Sequence, residues 1–284
     1  MAKLIYTNSR GDSIELGQTA PFFVTKIEGF SDVENNISTY QSYNQDGESI
    51  VNENLGSRYM VIEGEFLLDR QEGRNRLIKV FNPKLQGILK YINGNFIKEI
   101  ECKPERSPII SSTNRATIPY LINLIAPKPF WKDVKVSKEE IAIWRGSSEF
   151  PSELVEEGIE LGFREPSLIV NILNKGDVPC GMRIQFKALA TVVNPSLFNI
   201  NTREYFKIKR TMEAGEIITV TTHFQNKRVM LYKNGVTSNA FNWIDLDSTF
   251  LQLDVGDNLM RYDADEGLDN LEVSIYYTSQ YLGV

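Results

Sequence analysis

The chain has 284 residues, a soft prior for two domains each long enough to bury its own core. Hydrophobic residues make up 42% and charged residues 24%, and no uninterrupted apolar stretch is long enough for a bilayer, so neither disorder nor a membrane span is expected. A formal net charge of −6 argues against a surface built to neutralise many phosphates, so sequence-specific nucleic-acid binding is not expected either.

The opening, Met1 to Asn8, carries one Lys and has no apolar segment of the secretory type. Alternating apolar runs then predict strands at Lys3 to Tyr6, Ser13 to Leu16, Phe22 to Phe30, Tyr59 to Leu68 and Ala116 to Ala126. In the fourth, Tyr59, Val61, Glu63 and Glu65 share one face and Met60, Ile62, Gly64 and Phe66 the other. A helix is expected over Asp69 to Asn82. Asp69 is its N-cap, Glu72 follows three residues later, Asn82-Pro83 stops it, and Arg70, Arg74, Arg76 and Lys79 make it basic. Asn93-Gly94 predicts a hairpin between Gly87 to Ile92 and Asn95 to Lys103.

Two prolines, Pro127 and Pro129, predict a semi-rigid linker over residues 127 to 136, dividing the chain into 1–133 and 134–284. Ten short runs follow: Ile141 to Trp144, Ser167 to Leu173, Gly181 to Ala188, Thr191 to Ile200, Tyr205 to Ile208, Glu216 to Thr222, Val229 to Tyr232, Phe250 to Leu253, Asn258 to Tyr262 and Leu271 to Tyr277. That rhythm of short strands and turns is the signature of a β-sandwich. The fold class is mainly β, with a β-rich first half holding one helix.

Enzyme chemistry finds little support. The only histidine, His223, lies in an alternating run, and no Gly-x-Ser-x-Gly elbow, Walker loop or Gly-x-Gly-x-x-Gly motif occurs. Cys102, Cys180 and His223 cannot build a Cys/His zinc site, and the two thiols are expected to stay free in a reducing cytoplasm. Glu139-Glu140 and Glu156-Glu157 are adjacent and would point apart on a strand, unlike a glycosidase pair. The acidic group Asp263, Asp265, Glu266 and Asp269 surrounds a Gly turn, but it departs from the EF-hand spacing and reads as a hairpin tip. No metal and no cofactor is expected. Trp243 and the pair Tyr276-Tyr277 are the residues suited to stack on a sugar ring, and Trp243 is the one assigned a possible sugar contact.

Four segments carry a family resemblance. They are Ile14-Glu-Leu-Gly17 with Phe22-Phe-Val-Thr-Lys-Ile-Glu-Gly29; Tyr59 to Leu68 with the Arg-rich helix; Ile122-Asn-Leu-Ile-Ala-Pro-Lys-Pro-Phe-Trp-Lys-Asp133; and Leu253-Asp-Val-Gly-Asp-Asn258 through Val273-Ser-Ile-Tyr-Tyr277 to Tyr281-Leu-Gly-Val284. In this order they resemble the distal tail protein (Dit) family of long-tailed bacteriophages and prophages infecting Gram-positive bacteria. The resemblance implies a first half that closes into a homo-hexameric ring coaxial with the tail tube. It implies a second half shaped as a galectin-like or carbohydrate-module-like sandwich projecting from that ring.

A structural hub of the tail tip or baseplate, and not an enzyme, follows from the resemblance. Its implied partners are the tail-tube protein, a tail-associated fibre or lysin protein and a receptor-binding protein. Its implied place is the virion tail tip, after assembly in the host cytoplasm. The polar stretch Ser31 to Ser57 corresponds to an extended arm or loop near ring neighbours, and a mobile or partner-ordered loop is expected there. Ring closure needs two different complementary patches per copy. The expected pair is the basic helix, Arg70, Arg74 and Arg76, with the acidic face Glu63 and Glu65. The alternative function is an adhesin recognising cell-wall polysaccharide through Trp243.

Overall fold

The computed structural model describes residues 2–111, 117–141, 144–146, 162–164 and 169–284, and the Glu156-Glu157 pair lies outside them. The chain divides into two compact units, residues 1–134 with 280–284, and residues 135–279.

In the first unit the strands are β1 (Lys3–Asn8), β2 (Ser13–Leu16), β3 (Phe22–Glu28), β4 (Asn35–Tyr40), β5 (Ser49–Leu55) and β6 (Arg58–Phe66). After the helix α1 (Arg70–Val80) come β7 (Gly87–Asn93), β8 (Phe96–Pro104), β9 (Ile109–Ile110), β10 (Ile118–Ala126) and β11 (Trp131–Asp133). The main antiparallel sheet runs β2-β1-β7-β8-β10-β6-β3. β11 joins it beside β8 and also pairs with the returning strand Gln280–Tyr281. One parallel bridge, Gly17 to Phe23, brings the two edge strands together without closing a barrel.

Strict alternation explains why the sheet has one buried face. Along β6, Met60, Ile62 and Phe66 are buried while Val61, Glu63 and Glu65 are only half-buried and Tyr59 is exposed, as the sequence pattern predicts. Leu4, Tyr6, Leu89, Ile100, Ile122 and Leu124 continue the same core across neighbouring strands. The hairpin turn differs by one residue from the expectation. Asn93 pairs with Phe96, leaving Gly94 and Asn95 as the two-residue loop, and only Gly94 has positive φ (+61°). That is the chemistry of a type II′ turn, in which glycine takes the first central position.

The helix is short, 11 residues, and would not persist alone in water. Asp69 caps it as expected, accepting from the backbone N–H of Gln71 (2.9 Å) and Glu72 (3.2 Å). Gly73, Leu77 and Val80 form its buried stripe, and each large apolar side chain buried there contributes roughly 1.5–3 kcal/mol. Gly73 is required by close approach, because a Cβ at that position would lie 2.2 Å from Cε2 of the Phe66 ring. Gly73→Ala is therefore expected to lower stability by about 1–3 kcal/mol through overpacking, measured as an earlier first transition in urea unfolding. An unchanged midpoint would contradict the tight contact.

In the second unit, one sheet orders Ser137–Ile141, Leu271–Tyr277, Cys180–Ala188, Ile217–Thr221, Arg228–Lys233 and Val236–Asn239, with Gln252–Leu253 beside Cys180. A second orders Ile169–Asn174, Gly256–Asp263, Ser196–Asn199 and Glu204–Lys207. Ile184, Phe186, Val220 and Ile275 from the first share one core with Ile172, Leu197, Phe206 and Met260 from the second. This is a β-sandwich, each sheet covering the other's apolar face. The single run expected at Thr191 to Ile200 is broken into Val192–Val193 and Ser196–Asn199, because Asn194 takes positive φ (+53°) and Pro195 cannot donate. Among the described residues no helix is long and apolar enough to cross a membrane.

Candidate functional site

Between β3 and β6 the chain leaves the first unit's sheet. β4 and β5 pair only with each other, as a two-stranded ribbon beginning just after Asp32. All of β4 is exposed, and so is β5 except Leu55, which is half-buried. Tyr43 at the tip is 96% exposed and Val51 is 68% exposed, alongside Ile37, Tyr40 and Ile50. An isolated hairpin is marginal in water, and these apolar side chains have no core of their own. The stretch expected as a partner-ordered loop is an extended β-arm.

What makes the arm usable is its root. Arg58, the first residue of β6, is 1% exposed. Its Nε donates to the Pro129 carbonyl (2.8 Å), and Nη1 donates to the carbonyls of Gly29 (2.9 Å), Phe30 (3.1 Å) and Asp32 (2.6 Å). Nη2 donates to the carbonyl of Leu282. A guanidinium offers five N–H donors in a fixed fork, so one side chain satisfies carbonyls from the arm root, the segment before β11 and the returning C-terminal segment. Burial pushes the Arg58 pKa down, partly offset by the Asp32 charge.

Neighbouring contacts close the same junction. Trp131, fully buried, donates from Nε1 to the Phe30 carbonyl (3.0 Å), and its ring lies 5.5 Å from that of Phe30. Ser31 donates to the Val284 carbonyl (2.8 Å), and Gly56 N–H donates to Glu34 (2.9 Å) across the base of the ribbon. Gly29 has φ of +77°, and a Cβ there would overlap the Tyr59 carbonyl at 1.8 Å, so the turn into the arm accepts only glycine. Lys98, with 7% of its side chain exposed, ties the returning strand down through Asp133 (2.6 Å) and the face of Tyr281 (3.2 Å to the centroid).

The five residues expected to form an interface fall on two surfaces. Glu63 and Glu65 stand on the face of β6 that points away from the core. Glu65 accepts from Thr117 (2.6 Å), and Glu63 helps hold the Lys26 ammonium above its usual range, behind the larger effect of Glu28. The helix covers the opposite face, with Gly73 against Phe66. Arg74 is exposed, Arg70 reaches the Ser111 carbonyl (3.4 Å), and the Arg76 guanidinium sits 5.4 Å from the Phe22 ring centroid. The structure does not bring the glutamates and arginines of one copy together.

The second unit's candidates are already engaged. Trp243 is half-buried against the core, and the Arg210 guanidinium lies 3.9 Å from its ring centroid. Arg210 is itself held by the fully buried Glu216 (3.0 Å). A sugar stacking on that ring face would have to displace the guanidinium. In the acidic hairpin, Asp265 takes Lys207 (2.6 Å) and Asn194 (2.8 Å) while Asp263 faces Arg261 (3.5 Å). Among the described residues no group of three His, Cys, Asp or Glu side chains is placed to hold a metal ion. His223 follows the strand Ile217–Thr221 and packs against Gly181. Cys102 and Cys180 are free and buried, which pushes both thiols up to about 12.

Comparison with known proteins matches these two units in turn. Residues 9–119 match the phage tail protein RIFT-related domain, and residues 175–281 match the siphovirus-type tail component, C-terminal domain. The chain belongs to the siphophage distal tail protein family. It is a structural component of a phage tail, and the family is not one of enzymes. Among solved structures, the Dit protein of phage SPP1 is similar in fold, with TM-score 0.72 and 11% identity over 98% of this chain and 99% of that one. The phage P2 baseplate in its activated conformation with calcium contains a chain with TM-score 0.52 and 12% identity, covering 100% of this chain and 99% of that one. The strontium form gives TM-score 0.51 and 11% identity over the full length of both chains. No curated protein matches this chain in sequence.

Replacing Arg58 by Met removes the donor from five carbonyls, those of Pro129 and Phe30 in buried bonds and the others part-buried, and is expected to destabilise the first unit by roughly 3–5 kcal/mol. Arg58→Lys keeps the charge but not the fork and is expected to recover only part of the loss. Urea unfolding of both variants checks this, and a full rescue by Lys would contradict the forked geometry.

Proposed function

We propose that the protein is the hub of a siphophage tail tip or baseplate, in which six copies close into a ring through their first units. One face of the ring meets the tail-tube protein and the other meets the tail-associated protein. The second units carry lateral sites for the receptor-binding protein. The observation that carries this reading is the anchored arm. A ribbon with exposed apolar side chains, rooted in a buried arginine that bonds five carbonyls, is a segment built to be completed by another chain. The SPP1 relative is described as a paradigm of the hub adsorption apparatus in phages infecting Gram-positive bacteria, which fits the same role.

Light scattering over a concentration series, with negative-stain images of the same samples, tests the ring. Wild-type protein is expected to reach the mass of six copies and to show closed rings. Replacing residues 35–55 by a short Gly-Ser turn is expected to leave thermal unfolding of the single copy unchanged while removing the rings. Rings of normal size from the armless protein would contradict the arm's part in assembly.

A further inference from the structure

We propose that the acidic arm of one copy docks on the basic face of α1 in the next copy. The inference rests on the ring reading and names the surface that receives the arm. Residues 31–57 contain five acidic residues, Asp32, Glu34, Asp46, Glu48 and Glu53, and no Lys or Arg. Several lysines of the first unit are paired within the chain, Lys3 with Glu15, Lys90 with Glu99, Lys98 with Asp133, Lys132 with Glu101, and Lys79 of the helix itself with Asp12, whereas Arg10, Lys84, Lys103, Arg106 and Lys128 have no ion pair among the described residues. Among the described residues Arg70, Arg74 and Arg76 have no ion pair, and neither do Asp46, Glu48 and Glu53 of the arm. Unanswered bases on one surface and unanswered acids on another are the complementarity that sets register between partners.

Apolar content matches as well. Leu67, just before the helix, is 53% exposed, and Ile109, two residues from the carbonyl that Arg70 reaches, is 49% exposed. They are suited to the exposed Ile37, Ile50 and Val51 of the ribbon. Geometry assigns the contact to two copies rather than one. The arm is rooted at the Arg58 end of β6 and the helix follows its Phe66 end, so the length of that strand, about 26 Å at ~3.3 Å per residue, separates them. A patch at one end of the strand meeting a different patch at the other end is a head-to-tail contact, the kind that generates rings.

The test is charge reversal in the full chain, read by light scattering over a concentration series at low and at high salt. Glu48→Lys with Glu53→Lys, and separately Arg74→Glu with Arg76→Glu, are each expected to raise the concentration needed for assembly by about tenfold or more at low salt. Combining all four is expected to restore assembly, with thermal unfolding unchanged because these side chains are exposed. Rings that form equally well in both charge-reversed proteins would overturn the arm-to-helix contact and leave the ring reading standing. Loss in each double variant without recovery in the quadruple variant would also overturn the pairing. Wild-type protein that stays monomeric under every condition would overturn the ring reading and the contact with it.

Discussion

Arg58 is the constraint on which the first unit's organisation depends. A guanidinium taken out of water is costly unless every donor finds an acceptor, and here the acceptors are backbone carbonyls from segments far apart in the chain. The same bonds that make the burial tolerable fix where the arm departs, where the chain passes before β11, and where residues 280–284 return. None of these segments could move alone without stranding part of the fork. The arm can therefore be free along its length and still leave the sheet in a defined direction.

The second unit is organised by a different device. Its sandwich core is apolar and continuous, but at its margin the buried Glu216 collects Arg210 and Lys233, each at 3.0 Å. Arg210 then covers part of Trp243. A buried carboxylate with two cations holds a corner of the fold in one arrangement, since without both of them its burial would leave charge uncompensated. The aromatic residue that most resembles a sugar platform is part of that corner. Sandwich architecture alone carries no sugar-binding function, and the local geometry gives Trp243 a packing role.

Much of the fold was legible because it follows from local rules. Alternation located β6, β10 and the strand Leu271–Tyr277, since each has one face on a core. Asp69 and Asn82-Pro83 bracketed the helix for reasons of capping and backbone donors. The hairpin at Asn234-Gly235, both residues with positive φ, carries an equally strong local signal. The arm escaped detection as strands because a ribbon without a core has no apolar alternation to display, and its pairing is mainly backbone. Arg58 was illegible for a deeper reason. Arginine is rarely buried, its acceptors are carbonyls that every residue possesses, and one of them belongs to Leu282, 224 positions away. Arg70, Arg74 and Arg76 can be read as a basic surface, but the sequence does not show that Lys79 on the same helix is paired with Asp12 while the three arginines have no ion pair.

The arm is anchored at its root, and hydrogen–deuterium exchange on the same protein in dilute and assembled samples tests most directly whether assembly completes it. In dilute protein, residues 29–32 and 280–284 should exchange slowly with β6 while residues 35–55 exchange fast. In the assembled sample residues 35–55 should become protected together with the 70–80 helix. Fast exchange at the root, or an arm already protected in the single copy, would contradict it.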